Sequence, residues 1–257
     1  MKKRANAIGW VLGLSLLSAS AQFGGRPGGG MGGPQGPQFS GSIAKLFGDN
    51  SAFSAGLEVQ MQGNNMNMTL PGKMAYDQGK SRFEMDMSEM KGGQIPPETV
   101  AHMKSMGMDK MTTITIPDKK SVFLIYPGMQ AYAQMALPNP DASKSSADFK
   151  VETTELGKET VDGHSCVKNK VVVTDNQGKP HEYTVWNATD LKKFPVKLES
   201  NEGGHPMTML FKDVKLSKPD ASLFEPPSDF KKYDSMQSLM QEEMMKRMGS
   251  MGMPPKQ

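Results

Sequence analysis

Apolar and polar residues alternate with a period of two along much of this chain. Leu57, Val59 and Met61 alternate with Glu58, Gln60 and Gln62; Met66, Met68 and Leu70 with Asn65, Asn67 and Thr69; Phe83, Met85 and Met87 with Arg82, Glu84 and Asp86. Side chains on a strand point to opposite sides in turn, so each stretch predicts a strand with one dry face and one wet face. Further strand signals lie at Thr113 to Ile116, Val122 to Tyr126 and Gln130 to Ala133. From Phe149 to Leu216 the chain reads as strands joined by short turns. There Val167, Val171 and Val173 oppose Lys168 and Lys170, and Asp175-Asn176-Gln177-Gly178 supplies turn chemistry before Tyr183 to Trp186. Glu202-Gly203-Gly204 does the same before Met207 to Phe211.

Helical spacing is rare by comparison. A short turn is expected at Ile43 to Phe47, a helix from Pro96-Pro97-Glu98 to about Met106, and a closing helix over residues 229–248, where Tyr233, Met236, Met240 and Met244 recur at three- and four-residue intervals. The sum is about ten or eleven antiparallel strands with one or two helices. A sheet of that length is expected to curl into an incomplete barrel, a mainly β (α+β) fold with helices covering its concave side.

The N-terminal residues define the compartment. Lys2, Lys3 and Arg4 precede an apolar run from Ile8 to Leu17, and Ala19-Ser20-Ala21 has the small-residue form of a signal-peptidase site. Residues 1–21 are therefore expected to be a secretion signal cleaved after Ala21, because the apolar run is far shorter than the ~20 residues a spanning helix needs. No cysteine stands at the cleavage point, which argues against a lipid-anchored lipoprotein. The expectation is a periplasmic or secreted protein with no stable membrane insertion. Residues 22–40, rich in Gly, Pro and Gln, have little to bury and predict a disordered tether. A folded domain over residues 41–234, the closing helix and a frayed tail at 249–257 complete the expected organisation.

Charge then removes one class of partner. Residues 1–21 carry three of the 30 basic residues and none of the 27 acidic ones, so the mature chain has 27 of each. Without a surplus of Lys and Arg to displace counterions, no nucleic acid is expected as a partner. The lone Cys166 rules out an internal disulfide, and an ordinary core has to supply the stability. Nothing in the sequence calls for more than a monomer.

The order of pieces resembles a known family. The phrases G-K-E-T-V-D-G-H-S-C-V-K at Gly157 to Lys168, L-K-K-F-P-V-K-L at Leu191 to Leu198 and P-D-A-S-L-F-E-P-P at Pro219 to Pro227, behind a secretion signal and a long meander, resemble bacterial secreted domain-of-unknown-function family 4412. That family is similar to the LolA/LolB-like lipoprotein carriers, and the resemblance implies their curved, helix-capped half-barrel. It carries no established functional residue onto this chain.

Candidate chemistry follows from the methionines. The chain has 24 of them against 11 Phe, and several fall on predicted dry faces. Methionine is flexible and polarizable, and it suits ligands of variable shape. An apolar concave face of Leu57, Val59, Met61, Met66, Met68, Phe83, Met85 and Met87 is the candidate site for a lipid or acyl-chain-like ligand, with these residues forming plain core as the alternative. No cofactor is expected. A second reading is a methionine-rich, copper-binding envelope protein, with His102, Met103, Met106 and Met108 as the leading ligand segment and the tail from Met244 to Met253 next. A third is a structural or sensory domain that binds protein through a sheet edge or the Gly/Pro arm. Catalysis has no foothold. The chain lacks G-x-S-x-G, H-E-x-x-H, C-x-x-C and phosphate-loop patterns, and His164 beside Cys166 lacks an identifiable third group. No catalytic residue is assigned, and a non-enzymatic protein is expected.

Overall fold

The computed structural model describes residues 41–63, 66–92, 96–137, 149–175, 178–202 and 204–250. The expected signal and tether, Asn65, the Asn176-Gln177 part of one turn and the last seven residues lie outside them. The described residues form a 13-stranded open sheet. Its strands are β1 (Ala52–Gly63), β2 (Met66–Asp77), β3 (Lys80–Asp86), β4 (Lys91–Gly92), β5 (Lys110–Ile116), β6 (Ser121–Tyr126), β7 (Ala131–Ala136), β8 (Lys150–Val161), β9 (His164–Thr174), β10 (Pro180–Ala188), β11 (Pro195–Glu202), β12 (His205–Lys215) and β13 (Lys231–Tyr233). Three helices accompany them: α1 (Gly41–Lys45), α2 (Pro97–Ser105) and α3 (Met236–Ser250).

The strands run β13-β7-β6-β5-β3-β2-β1-β12-β11-β10-β9-β8, with the two-residue β4 paired to β2 outside this path. Two consecutive meanders are thus joined where β1 pairs with β12. All pairings are antiparallel except β13 with β7. The count exceeds the expected ten or eleven by two very short strands, β4 and β13, which carry no periodic signal of their own.

Local chemistry accounts for the hairpins. Gln78 and Gly79 (φ 49° and 93°) turn β2 into β3, and Asp162 and Gly163 (φ 48° and 83°) turn β8 into β9. Two consecutive positive φ values are the signature of the tight turn whose twist matches the strands. One device is used twice: Pro117–Lys119 and Pro127–Met129 each form a 3-10 turn, and Lys120 and Gln130 each close it with an N–H bonded to the proline carbonyl.

Side chains opposite one another across a ladder share a face, and the register makes one face apolar across most of the sheet. Phe53, Leu57 and Val59 on β1 oppose Tyr76, Gly72 and Leu70 on β2, while Leu57 and Val59 also oppose Phe211 and Met209 on β12. The face continues through Leu198, Val185 and Val171 on one side and through Phe83, Met85, Leu124 and Ala133 on the other. At ~25 cal/mol per Å² of apolar surface buried, this face is the main source of stability.

Two expected boundaries shift. The residues 229–235 do not begin the closing helix. Lys231–Tyr233 pairs in parallel with Ala131 to Ala133, and α3 starts at Met236, where the Ser235 hydroxyl accepts the Ser238 N–H at 3.0 Å as an N-cap. Met87 does not continue β3. It opens a 3-10 turn (Met87–Glu89) because the Asp86 carboxylate caps Ser88. β6 is buried on both faces, since the segment around Ala221–Phe224 packs Phe224 against Ile114, Ile116, Phe123 and Ile125 on the second face. Arg82 fixes that segment by donating to the Leu223 carbonyl at 2.9 Å.

Candidate functional site

The apolar face divides into two clusters of different chemistry. Around β1, β12 and β11 it is aromatic. Phe47, which follows α1, stacks on Phe53 with ring centroids 4.8 Å apart, and Phe194 and Phe211 meet Phe53 edge-on at 4.9 and 6.4 Å. All four rings are at most 2 % exposed. Aromatic pairs in these geometries contribute roughly 0.5–1.5 kcal/mol beyond area burial, so this half is a closed block. α1 is tied to it by a 2.9 Å hydrogen bond between the Ser42 and Tyr183 hydroxyls.

Around β3, β5, β6 and β7 the same face is built from methionine. Met85 and Met111 are buried there with Leu70, Leu124, Tyr126, Tyr233 and Leu239, and the half-buried Met87, Met90, Met108, Met129, Met135, Met236 and Met240 pack against them. Burial pushes the Tyr126 phenol up to about 12, so it stays protonated, and its O–H donates to the Met111 sulfur at 3.5 Å. α3 covers the β7 and β13 end of this half. Leu239 is fully buried, Met236 and Met240 flank it at helical spacing, and Met245 on the same helix is 52 % exposed. The ion pair between Lys231 and Glu242 on the surface adds little to this attachment.

The residues of the candidate apolar site are distributed over both clusters. Leu57, Val59 and Phe83 are buried in the aromatic cluster and Met61 packs against it. Met85 is buried in the methionine cluster and Met87 packs against it. Met68 is half-buried opposite Met61, and Met66 pairs with Gly63. An open hollow of about 820 Å³ lies beside the aromatic cluster, at the ends of β10, β11 and β12, lined by residues such as Gln62, Lys170, His181, Glu199 and the cluster's own Tyr183 and Met207. None of the eight residues lines it.

The other candidates fall out as follows. His102 is exposed on α2, with Met103 and Met106 half-buried, while Met108 joins the methionine cluster. His164 pairs with Asp190 at 2.8 Å, which holds the Asp190 carboxyl below its usual range. Cys166 is 1 % exposed, burial pushes its thiol up, and it donates to the His164 carbonyl at 3.4 Å. This thiol is part of the packing rather than poised as a thiolate. Among the described residues, no group of three or more His, Cys, Asp or Glu is placed to hold a metal ion. No helix among them is long and apolar enough to cross a membrane. The sheet edge at β8 is exposed on both sides, and a bulge between Glu155 and Gly157 breaks its register.

The grouping of methionines at one end depends on contacts between distant segments, and β4 and β13, which lie beside it, leave no periodic signal in the sequence.

An open, largely antiparallel sheet with one continuous apolar face and helices laid on it defines the class of fold. Over residues 53–194 the chain matches the family described as Domain of unknown function (DUF4412), and it belongs to that family. No curated protein matches it. Solved structures similar to it include the Mycobacterium tuberculosis lipoprotein LppX (9 % identity, 68 % of this chain and 93 % of that chain, TM-score 0.39). A LolA superfamily protein from Nitrosomonas europaea (8 %, 70 % and 93 %, 0.37) and LprF from Mycobacterium bovis (12 %, 70 % and 92 %, 0.37) are also similar.

Proposed function

We propose that the protein is a non-enzymatic periplasmic or secreted binding protein that holds a lipid or acyl-chain-like ligand against the apolar face of its sheet. The observation that carries this reading is the contrast between the two halves of the face. The aromatic half is centred on four interlocked buried rings, whereas the methionine half is ringed by half-buried side chains, and among the described side chains of the helix on it Leu239 alone is fully buried. Displacing α3, which packs on β7 and β13, would open that end of the methionine cluster without disturbing the aromatic block. Unbranched thioether side chains can then re-pack around a chain of variable shape.

The ligand surface in this reading is the apolar face of Leu57, Val59, Met61, Met66, Met68, Phe83, Met85 and Met87, entered from its methionine end. An acyl chain gains about 0.8 kcal/mol per buried CH₂, so some sixteen carbons supply on the order of 10 kcal/mol, enough to compete with a lightly held helix. Native mass spectrometry after gentle purification, followed by lipid extraction, tests the proposal together with uptake of a fluorescent fatty acid. Bound lipid or saturable uptake, weakened by Met85→Glu, is expected. Repeated recovery of empty protein with no uptake would end this reading.

A further inference from the structure

The half-buried methionines come from segments far apart in the chain, and two backbone contacts bring several of them together. The main chains at Gly107 and Gly128 touch. A Cβ on Gly107 would lie 2.6 Å from the carbonyl carbon of Gly128, and one on Gly128 would lie 2.6 Å from the Cα of Gly107. Met108 and Met129 are the next residues after this contact, and both side chains pack against the same cluster. The second contact is the Met87 N–H, which donates to the Asp109 carbonyl at 2.7 Å. It ties the 3-10 turn at Met87 to the loop that carries Met108. The same turn closes with the Met90 N–H on the Met87 carbonyl, and Met90 also packs against the cluster.

Three strand-connecting segments thus deliver soft sulfur ligands to one rim of the sheet. Among the described residues, no group of three or more His, Cys, Asp or Glu is placed to hold a hard or borderline cation. Neutral thioethers suit a cuprous ion. We propose that Met87, Met108 and Met129, with Met90 beside them, form a binding site for Cu(I). Three rotatable bonds per side chain allow the sulfurs to turn toward a common centre. The segment His102 to Met106 contributes only through the loop that follows it. A thioether needs no deprotonation to bind, so affinity does not fall as the pH drops from 7 to 5, unlike that of a thiolate or imidazole site. This inference goes beyond the apolar-ligand reading and does not depend on it.

The test is an anaerobic titration of delipidated full chain with Cu(I) against a competing bicinchoninate chelator, at pH 7 and pH 5. A Met87→Leu, Met108→Leu, Met129→Leu triple variant is run in parallel. Leucine keeps the volume and apolarity of methionine, at a cost below about 1.5 kcal/mol per swap, so the fold should persist by circular dichroism. The wild-type protein should take Cu(I) from the chelator equally well at both pH values. The triple variant should bind at least about tenfold more weakly, the scale on which lost metal-site contacts register. Met209→Leu, in the aromatic cluster, should change nothing. If the triple variant fails to fold, Met129→Leu alone, in a surface turn, carries the comparison and should still weaken binding measurably. A wild-type protein that leaves the chelator complex intact overturns the proposal. So does wild-type affinity in the leucine variant, which would place the copper on other methionines.

Discussion

The indole N–H of Trp186 donates a 2.8 Å hydrogen bond to the carboxylate of Glu159, two strands away across β9. Strand alternation puts Trp186 on the opposite side from Tyr183 and Val185, yet it is only 2 % exposed. Lys168 and Lys197 lie over its ring at 4.9 and 4.2 Å, and Lys168 also donates to Glu159 at 2.8 Å. Two lysine stems and a carboxylate thus roof an aromatic ring on the polar face, as amphipathic side chains can.

This cluster predicts a pH dependence with a definite sign. The Lys168 hydrogen bond first, and the Trp186 hydrogen bond second, hold the Glu159 carboxyl below the ordinary glutamate range. A depressed carboxyl contributes stability that is fully present above its unfolded value and is lost as the pH falls through the lower folded value. In a chain beginning at Gln22, which lacks Trp10, fluorescence reports Trp186 alone. The emission should hold through the usual glutamate range and change below it, and Glu159→Gln should abolish that step. An identical acid transition in the variant would show that the pair has no such role.

The aromatic block should be the most sensitive part of the core. Phe53 is fully buried and contacts Phe47, Phe194, Phe211 and Tyr76. Phe53→Ala is expected to cost about 3–5 kcal/mol in urea unfolding, a large share of the roughly 5–15 kcal/mol typical of a domain. Phe53→Leu should cost less. A loss below about 1 kcal/mol for the alanine variant would mean that the block relaxes around the hole.

The Gly107–Gly128 contact should tolerate no Cβ. In Gly128→Ala the new methyl meets backbone rather than a flexible side chain, so overpacking of about 1–3 kcal/mol is expected as a lower melting temperature. Gly56→Ala is the comparison, because a Cβ there has no neighbour nearer than 3.6 Å. It should stay within about 0.5 kcal/mol of wild type. Equal effects from the two would deny the close approach.

The helix over the methionine cluster shows where sequence reading stops. Met236 and Met240 were visible as one face of a helix, and that face is the one α3 buries. Its start was placed too early because residues 229–235 lack a feature that marks β13. The parallel pairing to Ala131 to Ala133 exists only when β7 is already in place. The Val122 to Tyr126 run is apolar throughout. Continuous apolar character predicts burial on both faces, and Phe224 supplies the second cover.

By itself, the sequence determined most of the strands, most of their turns and the dry side of those whose residues alternate, because a period of two and the residues tolerating positive φ are local properties of the chain. Tertiary structure alone decided that β1 joins β12 and that the rings of Phe47, Phe53, Phe194 and Phe211 meet at one place. It also decided that Met87, Met108 and Met129 pack against one cluster. Those outcomes depend on which segments meet across the sheet, and contacts between residues distant in the chain leave no periodic trace in the segments that make them.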